Sequence, residues 1–210
     1  MGGAVSISEV NEENFQEKLE ELWNNEEARP GLKQKVYDAQ KFLAKKAREA
    51  SVGKIEHPLP DSKQEELWNL LDYNGNGFSS LAELDKLVVE HYPEFDNKPA
   101  IMRAYHTIDR NNNGFISKSE FADFFYYLDY FCKLWEKFEG IDDNNDRRID
   151  IKEFKQYADS VFGRKMSDGT AETMFRLIDR NGGGKILFYE FAAHFAHLEK
   201  NVDVEKLPFE

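Results

Sequence analysis

The chain has 210 residues, enough for one or two small domains to bury a substantial hydrophobic core. Its 28 lysines and arginines stand against 40 aspartates and glutamates, and the net charge of -12 argues against nucleic acid as a partner and favours cations. The single cysteine, Cys132, excludes an intrachain disulfide and favours a reducing compartment.

The chain begins MGGAVS, which fits the pattern for N-myristoylation at Gly2. This N-terminus has neither the basic leader nor the apolar core of a signal peptide, so we expect a soluble, cytoplasmic protein. A single myristoyl chain binds membranes only marginally, and stable association needs a second signal. A basic segment near Gly2 would supply that signal.

Such a segment follows a shorter helical pattern at residues 15–23. Between Leu32 and Ala50, apolar residues recur at three- and four-residue steps, which predicts an amphipathic helix. The residues expected to contact an anionic membrane surface are Lys33, Lys35, Lys41, Lys45, Lys46 and Arg48. The alternative is that this helix packs its apolar face on the rest of the protein and that its charges are merely solvated.

Four similar twelve-residue segments fill the rest of the chain. They are DYNGNGFSSLAE from Asp72, DRNNNGFISKSE from Asp109, DDNNDRRIDIKE from Asp142 and DRNGGGKILFYE from Asp179. Each lies between two apolar helical patterns, so the repeated unit is helix, polar loop, helix. A capping box formed by Ser62 and Glu65 is predicted to begin the first of these helices.

The first two segments fit the calcium-loop pattern D-x-[DN]-x-[DN]-G-x5-E. Calcium prefers about six to eight oxygen ligands, which such a loop supplies from alternating side chains, one backbone carbonyl and a two-oxygen carboxylate. The predicted ligands are Asp72, Asn74, Asn76, the Phe78 carbonyl and Glu83, and Asp109, Asn111, Asn113, the Phe115 carbonyl and Glu120. Ser80 and Ser117 would each hold a bound water, and Gly77 and Gly114 permit the sharp turn. With two carboxylates per loop, we expect the moderate affinity of a sensor.

The last two segments depart from the pattern. In the third, Arg147 replaces the glycine, which costs on the order of 1 kcal/mol in a left-handed conformation. In the fourth, Gly183 and Leu187 remove two oxygen ligands. The candidate ligands are Asp142, Asn144, Asp146, the Arg148 carbonyl and Glu153 in the third loop, and Asp179, Asn181, the Lys185 carbonyl and Glu190 in the fourth. The sequence leaves open whether these two loops bind calcium or form a scaffold.

The eighth position of each loop predicts how the loops pair. Ile116, Ile149 and Ile186 are β-branched and suit a short strand contact, whereas the first loop has Ser79 there. We therefore expect the second pair of loops to hold together without metal and the first pair to depend more on its ions.

An aromatic run at residues 121–138 precedes the third loop and is apolar on nearly every face. We expect it to lie between the two halves as buried core, or alternatively to form a groove that calcium opens for a partner helix or lipid. His194 and His197 lie one helical turn apart, but no third ligand accompanies them. No catalytic constellation is recognisable, so we expect no enzymatic activity.

The four segments resemble the EF-hand signature over residues 62 to 198. The resemblance implies an all-α fold of two lobes of paired EF-hands with N-terminal helices. We divide the chain into an N-terminal extension (1–60), a first pair (61–126), a second pair (127–198) and a tail (199–210). The length, Gly2, the basic helix and the run FADFFYYLDYFCKLWEKF also resemble the flagellar calcium-binding proteins of protists, the calflagins. That resemblance implies an acylated sensor at a flagellar or cortical membrane.

These features predict a calcium sensor that changes the exposure of apolar surface to a membrane or to an unidentified protein target. The alternative is a soluble calcium buffer with little conformational opening. A calcium-triggered photoprotein is a third class, but the C-terminal Phe209-Glu210 and the five histidines resemble it poorly.

Overall fold

The computed structural model describes residues 41–43, 45–48, 50, 59–163 and 165–200. Gly2, Lys33, Lys35, the short helix predicted at 15–23 and most of the predicted C-terminal tail lie outside the described residues. The described chain falls into two compact units: the helical residues up to 50 with Pro93–Phe95 form one, and 59–92 with 96–200 form the other.

The first unit contains the described part of the basic helix. Residues 41–43, 45–48 and 50 are helical, which confirms the predicted helix over this stretch. Lys45 and Lys46 are exposed, and the Lys46 ammonium lies 5.4 Å from the centroid of the Phe42 ring. Arg48, in contrast, is only 7% exposed. Its burial disagrees with the predicted membrane contact, because a buried guanidinium does not reach a lipid headgroup.

The second unit is all-α apart from two small sheets, as predicted. Its helices are α1 (Asp61–Leu71), α2 (Leu81–His91), α3 (Lys98–Ile108), α4 (Lys118–Phe121), α5 (Phe124–Glu139), α6 (Ile151–Phe162), α7 (Asp168–Ile178) and α8 (Phe188–Lys200). Its strands are β1 (Phe78–Ser79), β2 (Ile116–Ser117), β3 (Arg148–Ile149) and β4 (Ile186–Leu187). Each of the four polar loops runs into one strand and then into a helix.

The loops pair through these strands in the predicted way. Strand β1 is antiparallel to β2 with Ser79 opposite Ile116, and β3 is antiparallel to β4 with Ile149 opposite Ile186. All four of these residues are fully buried. The two isoleucines of the second pair therefore make an apolar contact that the serine of the first pair does not reproduce.

The capping box predicted at Ser62 and Glu65 is wrong. Helix α1 begins at Asp61, and its N-cap residue, Pro60, makes no side-chain cap hydrogen bond. The Pro60 carbonyl accepts the first helical hydrogen bonds instead. Capping boxes do occur at the loop ends, where they join Ser80 to Glu83, Ser117 to Glu120 and Asp150 to Glu153.

Helix α5 carries the predicted aromatic run and joins the two pairs of helix-loop-helix units. Its first residue, Phe124, lies 6.0 Å from the ring of Phe121 in the first pair. Near its last turn, Phe138 lies 5.6 Å from both Phe188 and Phe191 in the second pair. The boundary predicted between residues 126 and 127 therefore lies within a continuous helix.

The core of the second unit is built around this helix. Helix α5 packs against α3 from the first pair and α8 from the second. Phe124, Leu128, Phe131 and Phe138 are completely buried, which fits the expectation that the aromatic run is core. The Tyr130 hydroxyl donates a 2.9 Å hydrogen bond to Glu199 on α8.

No helix among the described residues combines the length and the hydrophobicity that crossing a lipid bilayer requires.

The aromatic core makes a testable prediction about stability. Phe138→Ala should lower the free energy of unfolding by about 3 to 5 kcal/mol, because the ring is fully buried among other aromatic rings. The control is Phe115→Ala, which removes the same atoms from a ring that is 51% exposed and should cost less than about 1 kcal/mol. Urea denaturation in calcium-free buffer measures both. Equal losses would contradict the packing described.

Candidate calcium site

The first loop is ordered by hydrogen bonds from its own backbone to its predicted ligands. The Asp72 carboxylate accepts from the N–H groups of Asn76 and Gly77, at 3.0 and 2.9 Å. The side-chain oxygen of Asn74 accepts from Asn76 N–H at 2.9 Å, and that of Asn76 accepts from Phe78 N–H at 2.8 Å. The three predicted side-chain ligands are thus held by a single turn of the backbone.

Glu83 closes this loop from the start of helix α2. Its Oε2 accepts from the backbone N–H and the hydroxyl of Ser80, at 2.8 and 2.9 Å. Its Oε1 lies 3.4 Å from the side-chain amide nitrogen of Asn74, at the other end of the loop. Ser80, which the sequence assigns to a bound water, therefore also caps the helix and orients the glutamate.

The second loop repeats this arrangement. The Asp109 carboxylate accepts from the N–H groups of Asn113 and Gly114, at 3.2 and 2.9 Å. Glu120 Oε1 accepts from the side-chain amide of Asn111 at 3.1 Å, and its Oε2 accepts from Ser117 N–H at 2.9 Å. Two loops of different sequence therefore converge on one geometry.

The Glu120 carboxyl is poised to be ionised. Burial by itself would raise its pKa, but hydrogen bonds from the backbone and hydroxyl of Ser117 and from the backbones of Arg110 and Asn111 outweigh it, so the pKa is lowered. A carboxylate that is already charged offers both oxygens to a cation without releasing a proton.

The third loop keeps the same turn despite its arginine. Arg147 has φ 62, in the left-handed region where Gly77 and Gly114 have φ 81 and 78. Its N–H donates to Asp142 at 2.9 Å, as the glycine N–H groups do in the first two loops. The left-handed conformation expected from the sequence is confirmed, and a non-glycine residue adopts it at a cost.

The carboxylates of the third loop lie close to one another. Burial raises the pKa of Asp142, and the charges of Asp146 and Glu153 raise it further against hydrogen bonds from the loop backbone. Asp150 caps α6 by accepting from Glu153 N–H at 2.9 Å. This crowding of negative charge favours a bound cation. A positively charged side chain already lies beside these carboxylates, because the Lys185 ammonium of the fourth loop donates to Asp146 at 2.8 Å.

In the fourth loop, Gly183 leaves the fifth position without a side chain, and the loop closes there through backbone hydrogen bonds. Gly183 N–H donates to Asn181 Oδ1 at 2.6 Å and to Asp179 at 3.0 Å. Glu190 Oε2 accepts from Leu187 N–H at 2.9 Å. A Cβ atom on Gly183 would lie 2.6 Å from Asn181 Oδ1, so a side chain there requires Asn181 to turn away.

The donor chemistry of the loops fits calcium. In the described part of the chain, no group of three or more His, Cys, Asp or Glu side chains is placed to hold a metal ion. The predicted ligands combine amide and carbonyl oxygens with carboxylates, a hard oxygen set that suits calcium better than zinc or copper. His194 and His197 are not among the predicted ligands of these loops. The pKa of His194 is lowered, chiefly by burial and to a lesser extent by the charge of His197.

Three contacts of the loops are not apparent from the sequence. The Tyr105 hydroxyl on α3 donates to the Gly114 carbonyl, which ties the turn of the second loop to its preceding helix. Arg110 pairs with Asp123 just before α5. Lys185 binds Asp146 across the second pair. The strand register, which places residue 185 next to the third loop, is the only signal that could have indicated the last contact.

Comparison with known families agrees with this geometry. Residues 131–196 match the EF-hand domain pair, and residues 106–125 match the EF hand. The chain therefore contains EF-hand domains, which bind calcium, and the predicted cofactor is confirmed.

Known proteins with similar sequences include carriers and a calmodulin-like protein. The chain is 28% identical over 137 residues to a mitochondrial adenyl nucleotide antiporter of Bos taurus, covering 65% of this chain and 28% of that protein. It is 24% identical over 136 residues to a probable calcium-binding mitochondrial carrier of Caenorhabditis briggsae, covering 64% and 24%. Calmodulin-like protein 2 of Arabidopsis thaliana is 28% identical over 101 residues, covering 47% and 66%. The chain thus spans about a quarter of the length of the two carriers.

A solved structure of a homolog of programmed cell death 6 protein from Leishmania major Friedlin is also similar. It shares 21% sequence identity and covers 70% of this chain and 87% of its own, with a TM-score of 0.37. The resemblance to the flagellar calcium-binding proteins stays a prediction.

The strained residue of the third loop can be tested by replacement. In a chain carrying Glu83→Gln, Glu120→Gln and Glu190→Gln, here called the third-loop background, calcium binding reports the third loop alone. There, Arg147→Gly should raise the free energy of unfolding by about 1 kcal/mol, because the folded loop already holds this residue at positive φ and glycine adopts that conformation without the cost. Urea denaturation in calcium-free buffer measures the change.

Arg147→Ala is the matched control, because it removes the charge but keeps the Cβ atom. A glycine variant that is no more stable than the alanine variant would show that Arg147 imposes no backbone strain on this loop.

Proposed function

We propose that this protein is a calcium sensor in which ion binding in the first two loops repositions helix α5 and changes the apolar surface offered to a membrane or protein target. The observation that carries the proposal is the double position of Glu120, which closes the second loop and belongs to the first turn of α4. A ligand in the first turn of a helix can transmit the arrival of an ion to that helix.

The next residue transmits this movement into the core. Phe121 is completely buried, and its ring lies 5.8 Å from Trp68 on α1 and 6.0 Å from Phe124 on α5. Because cores are closely packed, a shift of Glu120 towards a bound ion must displace these rings or be opposed by them. The calcium loop is therefore linked to the aromatic core by one peptide bond.

Helix α5 extends the link to the second pair. Only Ala122 and Asp123 separate it from α4, and Arg110 of the second loop pairs with Asp123 at this break. At its other end, α5 leads directly into the third loop at Asp142. The same helix thus leaves the second loop and enters the third, which supports communication between the pairs.

A calcium buffer is the second candidate, and the ordered loops favour it. The hydrogen bonds that join Asp72 to Gly77 and Asp109 to Gly114 already hold the first two loops in a closed turn. A buffer needs such loops and little movement of its helices. The two functions differ in whether calcium exposes apolar surface.

A fluorescent dye that binds exposed apolar surface distinguishes them. We expect calcium to raise dye fluorescence in the native chain, and Glu120→Gln to abolish most of that rise because the ligand that moves α4 is lost. Glu90→Gln, which makes the same change at an exposed residue of α2, should leave the rise intact. A native chain with calcium binding by calorimetry but no dye response would establish the buffer.

We further propose that the target is an anionic membrane surface reached from the cytoplasm, in the flagellar or cortical region that the calflagin resemblance implies. Lys45 and Lys46 of the basic helix are exposed and support this role, whereas buried Arg48 does not. At the tips of the first two loops, Phe78 and Phe115 are 48% and 51% exposed, with ring centroids 6.5 Å apart. Such aromatic surface suits a partner that is partly apolar. No catalytic role is proposed.

Sedimentation with anionic vesicles tests the membrane interaction. Lys45→Gln with Lys46→Gln should weaken binding of the full chain by about tenfold, since each lysine near an anionic surface adds up to about 1 kcal/mol. Lys63→Gln with Lys86→Gln removes two exposed lysines from α1 and α2 and should have little effect. Binding that is indifferent to ionic strength would contradict the electrostatic contribution.

A further inference from the structure

One ion pair crosses between the loops of the second pair. The Lys185 ammonium lies 2.8 Å from Asp146 Oδ2, and the two side chains are 39% and 38% exposed. Asp146 is the predicted fifth-position ligand of the third loop, whereas Lys185 belongs to the fourth.

The strand register explains how the lysine reaches a neighbouring loop. Ile149 lies opposite Ile186, so Lys185, one residue earlier, lies beside Asp150, one residue later on the antiparallel strand. From there its long stem extends to Asp146. The contact thus follows from the pairing of β3 with β4, which two fully buried isoleucines hold in place.

The seventh position differs between the two pairs of loops. In the first pair it holds Phe78 and Phe115, whose rings contact each other and carry no charge. In the second pair it holds Arg148 and Lys185, so both predicted carbonyl ligands there come from basic residues. The ammonium of Lys185 therefore has no counterpart at the same position in the first two loops.

We propose that Lys185 acts as an internal competitor for calcium, holding the affinity of the third loop below the value that its carboxylates would otherwise give. The ammonium neutralises part of the charge of Asp146, and a calcium ion bound by the same carboxylate would be repelled by it. At its ligand positions the third loop has four acidic side chains, Asp142, Asp146, Asp150 and Glu153, whereas each of the first two loops has two. The lysine offsets this surplus, so the third loop responds at a higher calcium concentration than its composition indicates.

The test uses the full chain in the third-loop background, with calcium as the only ligand. Lys185→Gln should tighten calcium binding by about two- to fivefold, the range expected for removing a partly exposed ion pair. The gain should shrink at high salt, where the pair is already screened. In a chain that also carries Asp146→Asn, Lys185→Gln should change the affinity very little, because the partner of the lysine is gone.

Lys152→Gln is the matched control, because it removes a positive charge from an exposed residue of the third loop that is not a predicted ligand, without removing the Lys185–Asp146 pair. Circular dichroism verifies that each variant keeps its helices. An equal gain from Lys152→Gln would show a general charge effect and overturn the proposal. An unchanged affinity in Lys185→Gln would also overturn it, as would an undiminished gain in the Asp146→Asn chain or a third loop that binds no calcium in any variant.

Discussion

The glutamate at the end of each loop is the constraint on which the rest of the structure depends. Glu83, Glu120 and Glu153 each lie in the first turn of a helix and take part in its capping box. The same side chains are the predicted bidentate ligands of calcium. Because the same carboxylate would bind the ion and cap the helix, calcium binding and the position of the helix are coupled in each of these loops.

What this coupling can achieve depends on how the helices are shared. Helix α5 contacts α3 and α8, and its aromatic residues belong to the cores of both pairs. A separate helix for each loop would let the pairs respond on their own. Here a displacement at one end of α5 is resisted or followed at the other, because close-packed rings such as Phe124 and Phe138 leave little free volume.

The sequence predicted the repeated unit, the positions of the loops and the pairing of their eighth residues, because each depends on local spacing. It also predicted that Arg147 would take a left-handed conformation, since the loop geometry permits little else. The predicted capping box of α1 was wrong because the helix begins at Asp61, directly after Pro60, and its N-cap residue makes no side-chain cap hydrogen bond. The burial of Arg48 and the Lys185–Asp146 pair depend on residues that meet only in the folded chain, where no local pattern indicates them.

The distribution of tryptophan gives the molecule a separate optical probe in each half. Trp68 on α1 lies beside Phe121, directly after the second loop. Trp135 on α5 contacts Phe188 at 4.8 Å, two residues before the closing carboxylate of the fourth loop. A third tryptophan, Trp23, lies outside the described residues and would be replaced with phenylalanine in both variants. Replacing one of the two remaining indoles as well leaves the other to report on its own neighbourhood. Emission spectra of the two double variants during a calcium titration would therefore resolve the order in which the halves respond, without an attached label.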